Sequence, residues 1–144
     1  MVYEERNTWS TLVVTVVAMA VYVALVLQRA GGGPLADVDW APLMLWTIGA
    51  SIVGSILVSI LWGILAGMRD PEGGGRSDQR DRDIAHRGDR AGQAFMAIAG
   101  LGGIVLCAVE ADGFWVAHTL FLGFALSAVV GAVARAVAYR RGLV

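Results

Sequence analysis

The sequence has no lysine, a single cysteine and few charged residues for its length. All 11 basic residues are arginine, Cys107 has no partner for an internal disulfide, and 16% of the 144 residues are charged. A soluble domain of this size has about a quarter charged residues. The net charge of −1 lacks the basic excess that nucleic-acid binding requires, so we do not expect nucleic acid as a partner.

Motifs for catalysis and for metal binding are also missing. The chain contains no Cys-x-x-Cys, no His-Glu-x-x-His, no paired-carboxylate site and no glycine spacing that binds phosphate. Asp83, His86 and Asp89 are spaced so that they turn round a helix, which does not suit one metal ion. We therefore expect no enzyme, no cofactor and no metal site.

The apolar residues, 57% of the chain, lie mostly in four long runs. A helix needs about 20 apolar residues to cross the roughly 30 Å hydrocarbon core of a bilayer. The first run is longer than the core of a signal peptide, and no Ala-x-Ala site follows Leu27. We predict an all-α fold, a four-helix bundle in the lipid bilayer over residues 1–144, with spans at about 10–28, 42–68, 91–111 and 114–139 and a charged loop at 69–90.

The positions of the arginines predict how the spans are oriented. Every arginine except Arg29 lies in the N-terminal segment, in the loop 69–90 or near the C-terminus. Arginine and lysine are enriched at the cytoplasmic ends of membrane spans. We therefore expect a multi-pass protein of the cell membrane with both termini and the loop in the cytoplasm.

The loop 69–90 contains the densest block of charge in the chain. Acids four residues before an arginine, as in Asp78–Arg82 and Asp83–Arg87, favour a helix that leads into the third span, and Gly88 offers a place for a break. Six arginines balance six acids, which makes anionic lipid a weak candidate ligand. We interpret the segment either as a surface that binds a cytoplasmic protein or as a structural element that stabilises the cytoplasmic face of the bundle. The residues of this surface are Asp78, Arg80, Asp81, Arg82, Asp83, Arg87, Asp89 and Arg90.

Small side chains recur at every fourth position on several spans. Such stripes allow helix backbones to approach closely in lipid. They predict packing within one bundle, or a homodimer if one stripe is left over. The predicted packing residues are Ser51, Ser55, Ser59, Gly63 and Gly67 on the second span, Ala99, Gly103 and Cys107 on the third, and Gly123, Ser127 and Gly131 on the fourth. On the first span, the predicted inward face consists of Thr11, Thr15, Ala18 and Tyr22, with hydroxyls bonded to the backbone.

Three ionisable residues lie in or beside the last two spans. Glu110 ends the third span and His118 lies just over a turn into the fourth, so the two could face each other near the outer surface. Such a pair could relay protons or bind a cation. The alternative is an interfacial ion pair or a solvated Glu110. Arg135 lies about one turn inside the cytoplasmic end of the fourth span, where it can extend to the interface or pair with an acid of the loop.

The charged loop resembles the cytoplasmic signature of a group of small four-span prokaryotic membrane proteins of unknown function. In that group the loop reads approximately Asp-Glu-Arg-Asp/Glu-x-x-Ile before the third span. Asp78, Arg80, Asp81 and Ile84 match this pattern, and Gln79 replaces the usual acid. The resemblance implies the four-span fold in a prokaryotic inner membrane and a genetic association with small helix-turn-helix regulators. It implies no catalytic residues.

Two functions fit these patterns. The first is a non-enzymatic membrane protein whose charged loop is an interaction or regulatory surface. The second is a dimeric small transporter or channel, which the small-residue stripes and the polar residues of the last two spans would serve. The chain lacks the first-helix glutamate of small multidrug-resistance transporters, which also have four short spans.

Overall fold

The computed structural model describes residues 3–69 and 79–141, and they form an all-α fold. A short 3-10 turn, Leu35–Asp37, lies between the first two helices. The helices are α1 at Tyr3–Ala30, α2 at Ala41–Arg69, α3 at Gln79–Ala108 and α4 at Gly113–Arg141.

All four helices are long and apolar enough to cross a bilayer, which confirms the predicted fold class at this level. The qualifying stretches are Thr8–Ala30, Ala41–Leu65, Asp83–Ala108 and Gly113–Tyr139. Many large apolar side chains point outwards, among them Leu45 and Trp46, which are 70% and 78% exposed. A surface of this kind is unsuited to water and is the expected surface of a protein in lipid.

The turn between α3 and α4 is built from residues 109–112. The N–H groups of Glu110 and Ala111 donate to the carbonyl oxygens of Cys107 and Leu106, at 3.1 and 2.9 Å, which is the Schellman pattern at a helix end. Glu110 has a φ of 54°, the left-handed conformation that this position requires. Asp112 then caps α4, since its Oδ1 accepts the N–H of Phe114 at 2.7 Å. These contacts make α3 and α4 a tight antiparallel hairpin.

The four helices form an open row rather than a closed ring. α1 packs against α2 and α4, and α4 packs against α1 and α3, whereas α2 and α3 make no comparable contact within residues 3–69 and 79–141. The order across the row is α2, α1, α4, α3, so two hairpins meet along α1 and α4. We call the end with the turn 109–112 the turn end, and the opposite end, where α3 begins, the extension end.

The main hydrophobic cluster lies at the turn end. Tyr22 and Val26 of α1 and Met44 of α2 are buried there. Side chains from the connection 31–40, from the start of α2 and from α4 pack against them and are half-buried. These are Leu35, Trp40, Leu43, Ala117 and Phe121. The cluster therefore joins the α1–α2 hairpin to α4.

The predicted small-residue stripe on α2 does not follow one face of the helix. Ser51, Ser55 and Ser59 are half-buried, but Gly63 and Gly67 are exposed. The helix has 3.6 residues per turn, so each step of four residues turns the stripe by about 40°. Cys107, predicted to pack within the third span, is likewise exposed, and that prediction is wrong. The half-buried positions of α2 include Thr47, Ser51, Gly54, Val58 and Trp62, which follow steps of three and four residues.

Candidate functional site

The first candidate site is the beginning of α3, residues 79–90, which we call the α3 extension. It continues into the apolar part of α3 without interruption, so the predicted break at Gly88 is wrong. A Cβ atom at Gly88 would lie 2.5 Å from Cγ of Arg135 and 2.8 Å from the carbonyl oxygen of Gly131. Glycine is therefore needed here for the close approach of α4 rather than for a bend.

Close packing continues along the same face of α3. Ile84, one turn before Gly88, is 1% exposed and is among the largest fully buried side chains. A Cβ at Gly92 would lie 2.7 Å from the carbonyl oxygen of Ser127. These positions fix the α3 extension to α4, because α4 is the helix against which α3 packs.

The predicted packing residues of α3 and α4 meet in the same interface. A Cβ built at Gly123 would collide with Ala99. Gly103 is buried, and a Cβ there would lie 3.3 Å from the Leu120 side chain. Ser127 and Gly131 face Gly92 and Gly88 at the extension end. The small residues of α4 are thus used within one chain.

Arg135 and Asp89 form an ion pair at the extension end. Nη1 of Arg135 lies 3.0 Å from Oδ1 of Asp89, and the side chains are 25% and 58% exposed. This confirms the expectation that Arg135 can pair with an acid of the loop. An ion pair of such exposure is worth about 0.2–1 kcal/mol, so it orients the α3 extension more than it stabilises the fold.

The opposite face of the α3 extension is charged and exposed. Asp83, His86, Arg87 and Arg90 all lie there. The predicted pair Asp83–Arg87 is not formed within the described residues, where the ion pair is Arg135–Asp89. An exposed i,i+4 pair is worth only about 0.3–0.5 kcal/mol, so its absence costs the helix little. Asp78 and the side chains of Arg80, Asp81 and Arg82 lie outside the described residues.

No group of three or more His, Cys, Asp or Glu side chains in the described ranges could hold a metal ion. This covers the sequence-spaced trio Asp83, His86 and Asp89, of which the structure pairs Asp89 with Arg135 instead.

The second candidate site is at the turn end, where His118 pairs with Tyr22 of α1. The Tyr22 hydroxyl lies 2.7 Å from His118 Nε2, and His118 Nδ1 lies 2.7 Å from the carbonyl oxygen of Phe114. A carbonyl oxygen can only accept, so Nδ1 must carry the proton and donate to it. In the neutral ring, Nε2 then accepts from the Tyr22 O–H. The hydrogen-bond network alone assigns this tautomer.

The structure does not bring Glu110 and His118 together as a pair. Both ring nitrogens of His118 have the partners described above, and the Glu110 side chain is exposed at the turn. Sequence reasoning placed Tyr22 on the inward face of the first span but did not connect it to His118. The positions of Tyr22, near the end of the first span, and His118, near the start of the fourth, place both at a similar depth, and this was the one signal for the pair in the sequence.

Aromatic rings surround His118. The Phe114 ring is stacked on the imidazole with centroids 3.8 Å apart, and the Trp40 ring centroid lies 5.5 Å away. Phe121 packs edge-on against Tyr22 at 4.9 Å. The Phe114 ring therefore presents its face to the imidazole, an arrangement that attracts a cation, and Trp40 and Phe121 make edge contacts with the pair.

Hydroxyl groups in the spans bond to the backbone of their own helix. Thr15 donates to the carbonyl of Thr11 at 2.9 Å, as predicted, and Thr47 and Ser51 donate to Leu43 and Thr47 at 2.8 and 2.7 Å. A groove of about 400 Å³ between α1 and α2 is lined by Thr47, by Ser51 and by valines and alanines. Because its hydroxyls are already bonded, the groove offers hydrocarbon contacts.

Comparison of the chain with family models, with curated proteins and with solved structures finds no match in any of the three. The resemblance of the loop to a four-span family therefore stays a prediction. The fold supplies the class instead, since four apolar helices of membrane-spanning length are compatible with a small integral membrane protein.

Proposed function

We propose that this chain is a non-enzymatic integral membrane protein whose α3 extension is a cytoplasmic docking surface for another protein. One observation carries the proposal. The α3 extension packs one face tightly on α4 while its other face exposes Asp83, His86, Arg87 and Arg90.

Rigid placement is the first support for a docking role. A helix that is held along one side loses little conformational freedom when a partner binds the other side, and this lowers the entropic cost of association. Ile84 and Gly88 provide that hold on α4, and the Asp89–Arg135 ion pair adds to it. In a purely structural role, the charges of the α3 extension would be expected to pair with one another, and fewer of them would be unpaired on the outer face.

The charge of the surface favours protein over lipid. Binding to anionic lipid needs a cluster of basic residues. The exposed face carries Asp83 beside Arg87 and Arg90, and six acids balance six arginines over 69–90. A surface with charges of both signs can fix the register of a protein–protein interface and can select one partner over others.

Exchanging the exposed arginines is expected to reduce partner binding by about tenfold or more, because arginine is common among the side chains that dominate interfaces. The variant is Arg87→Ala with Arg90→Ala in tagged full-length protein, and partners are crosslinked and purified from native membranes. The matched control is Arg29→Ala, an exposed arginine at the turn end.

Recovery that falls with the double variant but not with Arg29→Ala supports docking at this face, and it must be repeated with the purified partner. Equal recovery from all three proteins, at unchanged melting temperature, would contradict the proposal and leave a purely structural role for the α3 extension.

A dimeric transporter or channel is the second candidate. The open row favours it, because α2 packs against a single neighbour, α1, within the described part of the chain. A second copy could cover α2 and close the row. Flux assays in liposomes with common ions and amphipathic cations separate the two functions, and silence in every assay would remove this candidate.

A further inference from the structure

We propose that Tyr22 and His118 form a proton-binding site at the turn end, and that the site takes up a proton without separating the two hairpins. The ligand of this site is a proton. The site lies at the opposite end of the helices from the α3 extension and does not depend on the docking function.

The hydrogen bonds of the pair define how a proton can be taken up. In the neutral pair, Tyr22 O–H donates to Nε2 of His118 at 2.7 Å, while Nδ1–H donates to the Phe114 carbonyl at 2.7 Å. Nε2 is therefore the one basic ring nitrogen. A proton delivered by hydronium binds Nε2 and leaves a water molecule, and the Tyr22 hydroxyl hydrogen rotates away. The new Nε2–H then donates to the Tyr22 oxygen, which has free lone pairs.

The surroundings of the ring can hold the charge that this uptake creates. The Phe114 ring is stacked on the imidazole with centroids 3.8 Å apart, within the roughly 6 Å range of cation–π attraction, and Trp40 makes an edge contact at 5.5 Å. His118 lies in the second turn of α4, beyond the first turn where the helix dipole opposes a cation most strongly. His118 is half-buried, so the residue is not fully shielded from its surroundings.

Other ionisable groups at the turn end stay away from the ring. Tyr22 is the titratable residue that faces His118 from α1, and the connection presents Trp40, which does not titrate. The remaining charged side chains at this end are exposed, and among the described residues none of them is hydrogen-bonded to the imidazole. They are Arg29, Asp37, Asp39, Glu110 and Asp112.

Nitrogen-15 NMR of histidine-labelled full-length protein in lipid bilayers tests the site directly. The chain has two histidines, and the exposed His86 is the internal control, assigned with His86→Gln. For neutral His118 we expect at least about a tenfold excess of the Nδ1–H tautomer, because the other tautomer leaves two hydrogen-bonding groups unpaired. His86 should average between tautomers in water.

Two further measurements complete the test. In Tyr22→Phe, the Nε2 resonance of His118 should move while that of His86 stays, and in wild type at acid pH both nitrogens of His118 should carry protons with the Tyr22–His118 cross-peak retained. A His118 that averages like His86, or an Nε2 resonance indifferent to Tyr22→Phe, overturns the site. Loss of the cross-peak on protonation overturns the claim that the hairpins stay together.

Discussion

Gly92→Val is expected to destabilise the packing of α3 on α4 by about 1–3 kcal/mol, the usual cost of overfilling a packed interface. A Cβ at this position would lie 2.7 Å from the carbonyl oxygen of Ser127 and 2.8 Å from its hydroxyl oxygen. Backbone cannot rotate away as a flexible side chain can, so the helices must separate. Thermal unfolding followed by tryptophan fluorescence in detergent micelles measures the effect.

Gly100→Val is the matched control on the same helix. In the described part of the chain, nothing lies within 4 Å of a Cβ built at Gly100. Both substitutions change helix propensity equally, so the difference between their melting temperatures reports packing alone. Equal melting temperatures for the two variants would contradict the close contact between α3 and α4.

Ile84→Ala is expected to release the α3 extension from α4. Ile84 is 1% exposed, and truncation of a buried isoleucine to alanine costs about 2–5 kcal/mol. The loss should be local, because the ion pair between Asp89 and Arg135 is too weak to hold the extension by itself. Amide hydrogen exchange should accelerate at least about tenfold over residues 84–90, since 1.4 kcal/mol corresponds to a factor of ten.

Ile98→Ala on the same helix provides the comparison. Ile98 is 67% exposed, so its truncation removes contacts with lipid or detergent rather than with protein. Exchange over residues 84–90 should match wild type in this variant. If Ile84→Ala also matched wild type, the α3 extension would not depend on α4, and its proposed rigidity as a docking surface would be lost.

The presence of four helices of membrane-spanning length could be predicted because it depends on composition and length alone. Four apolar runs had to become four helices in a medium without water, since every backbone polar group there needs an internal partner. Proline and glycine placed the connection after α1 correctly. The helical lead into α3 could also be predicted, because acids four residues before arginines favour a helix over residues 79–90, whereas the break expected at Gly88 does not occur.

Helix pairing could not be predicted from stripes of small residues. The stripe on α4 packs on α3, whereas Gly63 and Gly67 of the α2 stripe are exposed. Spacing alone does not say which helix is the neighbour, nor how a stripe turns around its helix. The role of Gly88 could not be predicted for the same reason, since it depends on how closely Gly131 of α4 approaches.

The polar pair at the turn end was missed for a related reason. Tyr22 and His118 are 96 residues apart in sequence, and they meet because α1 and α4 are neighbours in the row. Sequence proximity favoured Glu110 as the partner of His118. The turn instead directs the Glu110 backbone into a left-handed cap and leaves its carboxylate exposed.

Cysteine labelling tests most directly whether the α3 extension faces the cytoplasm. In a Cys107→Ala background, His86→Cys and Asp39→Cys place one exposed thiol at the extension end and one at the turn end. We predict that a membrane-impermeant maleimide labels Asp39→Cys in intact cells and His86→Cys only after permeabilisation, as the arginine distribution requires. The reverse pattern, or labelling of both positions from one side, would contradict the cytoplasmic docking surface.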